Sequence, residues 1–268
     1  MFGLLIELTG ELLVTGVGSA IRRLYSRTWL SRNLFIGRDL QSNYHQLLHS
    51  HFKFYRALPA QSQKLFRRRI RVFVKGRKFH GRGGLIVTEE MKVLLSATAV
   101  KITFGLDHFV FDTFNNIFIY PEVYYSKNTG NMHKGETHPV GAVVFSWKDF
   151  LQGIENEEDN LNLGLHEFSH AFVLELKNGN IPDEVLTEHF LELKTVIFKP
   201  EVRKLVVEHG YLRAYAEENY MEFFAVCIES YFETPDQFAA QMPVVYRQFC
   251  KMLNQDTHQL YLRAQRTS

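Results

Sequence analysis

Only two cysteines occur in the 268 residues, Cys227 and Cys250, and they form no CxxC pair. A disulfide framework and a cysteine-built redox or zinc motif are thereby excluded, and such sparing use fits a reducing compartment. No charge sign dominates. Lys and Arg number 31 against 29 Asp and Glu, a net charge of +2, so no broad field argues for direct nucleic-acid binding or for an acidic partner. Repeats, low-complexity tracts and Pro/Gly/Ser linkers are also missing. With 46% hydrophobic residues, a chain of this length can bury a sizeable core, and its 23 phenylalanines should make that core aromatic.

No long apolar run is free of charge. Phe2 to Ile21 comes nearest, but Glu7 and Glu11 interrupt it and no Lys or Arg precedes it. That argues against a signal peptide and against a membrane span. The two glutamates share one helical face, as in an amphipathic helix lying on protein or on a membrane. Arg22, Arg23, Arg27 and Arg32 behind it would suit a cytoplasmic membrane face. Residues 1–35 are therefore read as an amphipathic or membrane-associated helical segment of a cytoplasmic protein, and 36–268 as its domain.

Within that domain, Asp39 to Leu58 reads as a helix ending before Pro59. Ser62 to Phe79 reads as a second, capped near Ser62, with Leu65, Phe66, Ile70, Phe73 and Val74 as its apolar stripe. Its basic face (Lys64, Arg67, Arg68, Arg71, Lys75, Lys78) reads as solvated. Gly81 to Gly84 breaks the pattern, and a helix runs from Thr88 to Phe104. Phe109 to Phe111, Asn116 to Tyr120 and Val140 to Phe145 read as strands, and Gly130 to Pro139 as a polar loop. From Glu184 to Met252 the pattern is helical. Strands in mid-chain with helices around them predict an α+β domain, mostly helical with a small mixed sheet.

The chemistry concentrates in His166-Glu167-Phe168-Ser169-His170. On a helix, positions i and i+4 lie on one face, so both imidazoles can reach one tetrahedral zinc ion. Glu167 projects from the flank, where it can take a proton from a zinc-activated water. The apolar flanks, Leu161 to Leu165 and Ala171 to Leu174, predict a buried helix starting between Asn160 and Leu163. A catalytic zinc needs a third protein ligand, and Glu175, Glu188, His189, Glu217, Glu218, Glu222 and Glu229 are candidates. Glu175 falls on nearly the opposite side of the motif helix. Glu222 follows Asn219 as in a helix-capping box, an alternative use for its carboxylate. Glu229, seven residues on, shares its face and could serve as a carboxylate behind the ligands or as a partner for an arginine.

Several strings are unusual, and in this order they resemble the Mlc titration factor A family of peptidases, relatives of the anthrax lethal factor catalytic domain. They are Phe54-Tyr-Arg-Ala-Leu-Pro59, Gly83-Gly-Leu-Ile-Val-Thr-Glu-Glu-Met91, Gly105-Leu-Asp-His108, Ile119-Tyr-Pro121, Val144-Phe-Ser-Trp147, Leu165-His-Glu-Phe-Ser-His170, Tyr215-Ala216, Glu222-Phe-Phe-Ala-Val226 and Glu229-Ser-Tyr-Phe232. The resemblance spans about Phe54 to Phe249. It implies a zincin-like fold with Zn2+ held by His166, His170 and Glu222, Glu167 as general base, and Tyr215 directing its hydroxyl at the reacting carbonyl oxygen. After the second histidine the chain departs from the family, with Ala171-Phe-Val-Leu-Glu175 where a Leu-Asp pair and a Gly-rich turn are usual.

The implied function is zinc-dependent hydrolysis of a peptide or protein substrate, and aminopeptidase and endopeptidase action both fit. Val143-Val144-Phe145 is read as the edge strand that pairs with substrate. The alternative reading, implied by the family's name, is a regulatory protein that sequesters a transcriptional repressor. The intact Glu167 argues for catalysis, since a pure binding module needs no base beside zinc.

Overall fold

The computed structural model describes residues 42–181, 183–202, 204, 212 and 219–267. The boundary expected near residue 35, the amphipathic segment before it, and Tyr215, Glu217 and Glu218 lie outside the described residues. The first expected helix divides into α1 (Ser42–His51) and α2 (Lys53–Ala57), and Pro59 then caps α3 (Ala60–Lys75). Helix α3 thus begins ahead of Ser62. Proline at the entry has no N–H to leave unsatisfied, and its fixed φ aims the chain into the helix.

Helix α3 ends at Lys75, short of the expected Phe79, because Lys78–Gly81 forms β1 and pairs in parallel with β2 (Asn116–Tyr120), Lys78 opposite Asn116. Thr88 caps α4 (Glu89–Thr103) through a hydrogen bond from the Met91 amide, and nearly every α4 residue beyond Met91 is buried. The strand expected at Phe109 to Phe111 does not form. Side chains meet its carbonyls instead: Thr103 Oγ donates to Phe109 O at 2.9 Å and Arg77 Nη2 to Phe111 O at 2.5 Å.

Two short strands, β3 (Tyr124–Ser126) and β4 (Asn131–His133), form an antiparallel hairpin. They are followed by β5 (Gly135–His138) and β6 (Ala142–Ser146), so the expected Gly130 to Pro139 loop carries two strands. The main sheet has the order β1-β2-β6-β5, parallel except for the antiparallel pairing of β5 with β6. This corrects the expectation that Val143 to Phe145 is the edge. β6 lies inside the sheet, with Val143 and Phe145 fully buried, and the edges are β5 and β1.

After β6 come α5 (Trp147–Glu155) and the motif helix α6 (Leu163–Lys177), then α7 (Glu184–Ile197), α8 (Tyr220–Glu233), α9 (Pro235–Gln241), α10 (Pro243–Leu253) and α11 (Thr257–Thr267). Helix α6 is central: it packs on β5 and β6, on α4 and α5, and on α8. Phe168, inside the motif, anchors it. Its ring meets Phe145, Phe111 and Phe73 at centroid separations of 5.2, 6.0 and 6.2 Å. The architecture is mostly helical with a small mixed sheet, as expected. Among the described residues no helix is long and apolar enough to cross a membrane.

Because Phe168 closes the space between sheet, α3 and α6, Phe168→Ala should destabilise the fold by about 3–5 kcal/mol, the usual cost of emptying a buried phenylalanine site. Denaturant unfolding of the two proteins checks this.

Candidate metal centre

Helix α6 starts where the side chain of Asn162 accepts the Leu165 amide at 3.0 Å. From that start, His166 and His170 fall on one face, with ring centroids 4.7 Å apart and Nε2 atoms 3.1 Å apart. Helix α8 supplies the third group. Asn219 caps it by accepting the Met221 and Glu222 amides, and its first turn turns Glu222 toward the histidines. Half of the capping box is therefore real. The Glu222 carboxylate does not return to Asn219; Oε2 lies 3.1 Å from His166 Nε2 and Oε1 lies 3.3 Å from His170 Nε2.

These three side chains form a group able to hold a metal ion, with one donor atom from each all within 4.8 Å. A tetrahedral ion with ligands at 2.0–2.1 Å requires donor atoms about 3.3 Å apart. The two imidazole nitrogens, 3.1 Å apart, come close to that spacing, and the Glu222 carboxylate meets them through both oxygens, Oε2 3.1 Å from His166 and Oε1 3.3 Å from His170. Glu222 Oε2 is buried and has no hydrogen-bond partner among the described residues, although it faces an imidazole nitrogen at 3.1 Å. Burial opposes charge on His166, yet close contact with the Glu222 and Glu229 carboxylates carries its pKa up to about 10. Burial likewise opposes ionisation of Glu222, and the two imidazoles outweigh it, holding its pKa at about 2. The cluster thus favours positive charge at its centre.

Glu167 lies beside this group and is 6% exposed. Burial pushes its carboxyl above the ordinary carboxylate range, against the pull of His166, His170 and Thr137. A buried carboxylate is the more ready to accept a proton. The edge strand holds it in place. The Thr137 hydroxyl lies 2.8 Å from Glu167 Oε2 and 2.9 Å from its main-chain oxygen. Gly135, two residues earlier on the same strand face, leaves room for the carboxylate, since a Cβ there would sit 2.7 Å from Glu167 Oε1. A pocket of about 320 Å³ opens against His166 and Glu167. Leu161, Leu163, Gln152 and the Lys134–Asp149 ion pair (2.8 Å) line it.

The other candidate ligands are elsewhere. Glu175 is fully buried and accepts the Thr113 amide at 2.6 Å, Glu188 is exposed, and His189 pairs with Glu192 at 3.4 Å. Glu229 stands behind the group, Oε1 2.9 Å from His166 Nδ1. Gly135 and Thr137 went unnoticed in sequence because β5 has no apolar residue to mark it.

A group of two imidazoles and a carboxylate able to hold a metal ion is the kind of site a metallopeptidase uses. The chain belongs to the family of glucose-regulated metallo-peptidases M90, whose model matches residues 26–253. Among curated relatives it is similar to Mlc titration factor A of Yersinia pestis (strain Pestoides F), 28% identical over 193 residues, covering 65% of this chain and 70% of the relative. Mlc titration factor A of Yersinia pseudotuberculosis serotype O:1b (strain IP 31758) matches to the same extent.

Removing the Thr137 hydroxyl should loosen the base without touching the metal group. Hydrogen bonds to charged groups contribute about 1.5–3 kcal/mol, so Thr137→Ala should lower kcat by about 10-fold or more, with metal content unchanged. Thr137→Ser should restore most of it. Peptide hydrolysis by the two variants, with metal analysis alongside, checks both expectations.

Proposed function

We propose that this chain is a zinc peptidase with a zincin-like domain over 36–268, in which His166, His170 and Glu222 hold the ion and Glu167 is the general base. The observation that carries this reading is that one donor atom from each of His166, His170 and Glu222 lies within 4.8 Å of the others, beside a buried glutamate. Two imidazoles and one carboxylate suit zinc and leave one coordination position for water or substrate. When bound there, zinc would acidify a water and polarise a carbonyl.

The chain's own groups do the rest. The Glu167 carboxylate, steadied by Thr137, takes the proton from the attacking water and hands it to the departing amine nitrogen. The free edge of β5 can pair with an extended peptide, which would bring a substrate main chain past Gly135 and Thr137 and alongside Glu167. Tyr215, seven residues ahead of Glu222, is proposed to donate its hydroxyl to the oxygen that gains charge, a contribution of about 3 kcal/mol. The family resemblance supports that role. The proposed setting is cytoplasmic, with 1–35 as an amphipathic or membrane-associated segment.

A second reading is favoured by the relatives' name: the chain would bind and sequester a transcriptional repressor, with hydrolysis secondary. Glu167→Gln separates the two. It should leave zinc bound while peptide hydrolysis falls by about 100-fold or more. Hydrolysis at the wild-type rate, or at the same rate with chelator present, would overturn the peptidase reading. Tyr215→Phe should lower kcat far more than it raises KM, because its hydroxyl acts only as charge develops. Steady-state kinetics on one peptide measures both variants.

A further inference from the structure

A chain of buried polar groups leads away from the metal group on the side opposite its donor atoms. It begins at His166 Nδ1, 2.9 Å from Glu229 Oε1. The Glu229 side chain is only 1% exposed, and its other oxygen accepts the Asn162 amide at 2.8 Å. Asn162 is 2% exposed, and its side chain has several partners. The oxygen caps α6 at Leu165, while Nδ2 donates to Gly153 O at 2.6 Å and to Glu233 Oε1 at 2.9 Å. Glu233, one turn beyond Glu229 on α8, is 1% exposed. Lys101, 2% exposed and 3.6 Å from Glu157, adds positive charge to the same interior.

Burying a carboxylate such as Glu229 costs several kcal/mol unless its geometry is fixed by partners. Here the partners fix it against one imidazole nitrogen. A carboxylate accepting from Nδ1–H keeps that proton on Nδ1, so that Nε2, which faces Glu222 and His170, is the nitrogen left to bind a metal. We infer that Glu229 is the positioning residue for His166, and that the Asn162 side chain, bridging Gly153 and Glu233, holds Glu229 in register. The same asparagine caps α6, so the start of the motif helix and the orientation of its first histidine are fixed by one side chain. The inference rests on the proposed metal site.

Glu229→Gln isolates the effect, because size is kept. Glutamine offers one acceptor where two donors, His166 Nδ1–H and the Asn162 amide, each need one. If the amide NH2 faces the ring, Nδ1 must accept and the proton moves to Nε2, where it blocks a ligand. Asn162→Ser keeps a capping oxygen and the main-chain amide but removes the bridge to Gly153 and Glu233. Zinc affinity of metal-stripped full-length protein is measured by chelator competition, with thermal unfolding of the metal-free form alongside.

Affinity should fall about 10- to 100-fold in Glu229→Gln, the usual loss when the carboxylate behind a ligating histidine is altered. Asn162→Ser should show a smaller loss of the same sign, and nitrogen NMR should report the changed His166 tautomer in Glu229→Gln alone. Wild-type affinity in Glu229→Gln would overturn the inference, and wild-type affinity in Asn162→Ser would overturn the role given to Asn162. A loss of thermal stability with affinity intact would make the chain structural only. If Glu229→Gln does not fold, Asn162→Ser carries the test alone. Failure of the wild-type protein to bind zinc would instead count against the proposed function.

Discussion

Two imidazoles and a carboxylate converge with 3.1–3.3 Å between their facing atoms, and much of the surrounding structure serves to hold them there. Helix periodicity alone brings His166 and His170 together. Their meeting with Glu222 depends on the packing of α8 along α6, and that packing depends on both helices starting at set points. Asn162 and Asn219 fix those points as N-caps. An N-cap of this kind contributes about 1 kcal/mol to helix stability. Its larger consequence here is register, since a shift of one residue would rotate a ligand about 100° off the shared face.

The sheet supplies the other boundary. Its interior strands β2 and β6 carry Ile117, Ile119, Val143 and Phe145 into the core, and Phe145 meets Phe168 on α6. The ring that fixes α6 to the sheet is thus a residue of the histidine motif itself. On the edge, β5 gives up apolar packing and instead brings Gly135 and Thr137 against Glu167. An edge strand with an unpaired ladder is an aggregation hazard in most proteins. Under the proposed function it would also serve as a template for an extended chain.

Legibility in the sequence followed the strength of each local signal. The motif helix and β2 were readable because periodicity, caps and apolar residues agreed there. Asn219 was readable as a cap, and the helix read from Thr88 starts one residue later, at Glu89. Strands β1 and β5 were not, because Lys78-Phe-His-Gly81 and Gly135-Glu-Thr-His138 lack an apolar alternation and are decided by pairing with distant strands. Phe109 to Phe111 misled in the opposite sense: its apolar side chains are buried, but Thr103 and Arg77 satisfy its carbonyls in place of a neighbouring strand. Spacing narrowed the third member of the site only to a set of carboxylates, and the family resemblance singled out Glu222. Its capping-box context was half correct, since the cap is Asn219 and the glutamate turns to the histidines. The links from His166 through Glu229 and Asn162 to Glu233 join residues more than sixty apart in sequence, which periodicity cannot reveal.

The central claim is that one zinc ion sits between α6 and α8. Anomalous diffraction from crystals of the zinc-loaded protein, collected on both sides of the zinc absorption edge, tests it most directly. The account predicts one strong peak per chain, about 2.0–2.1 Å from His166 Nε2, His170 Nε2 and a Glu222 carboxylate oxygen. A peak elsewhere, or none between these three side chains, would contradict it.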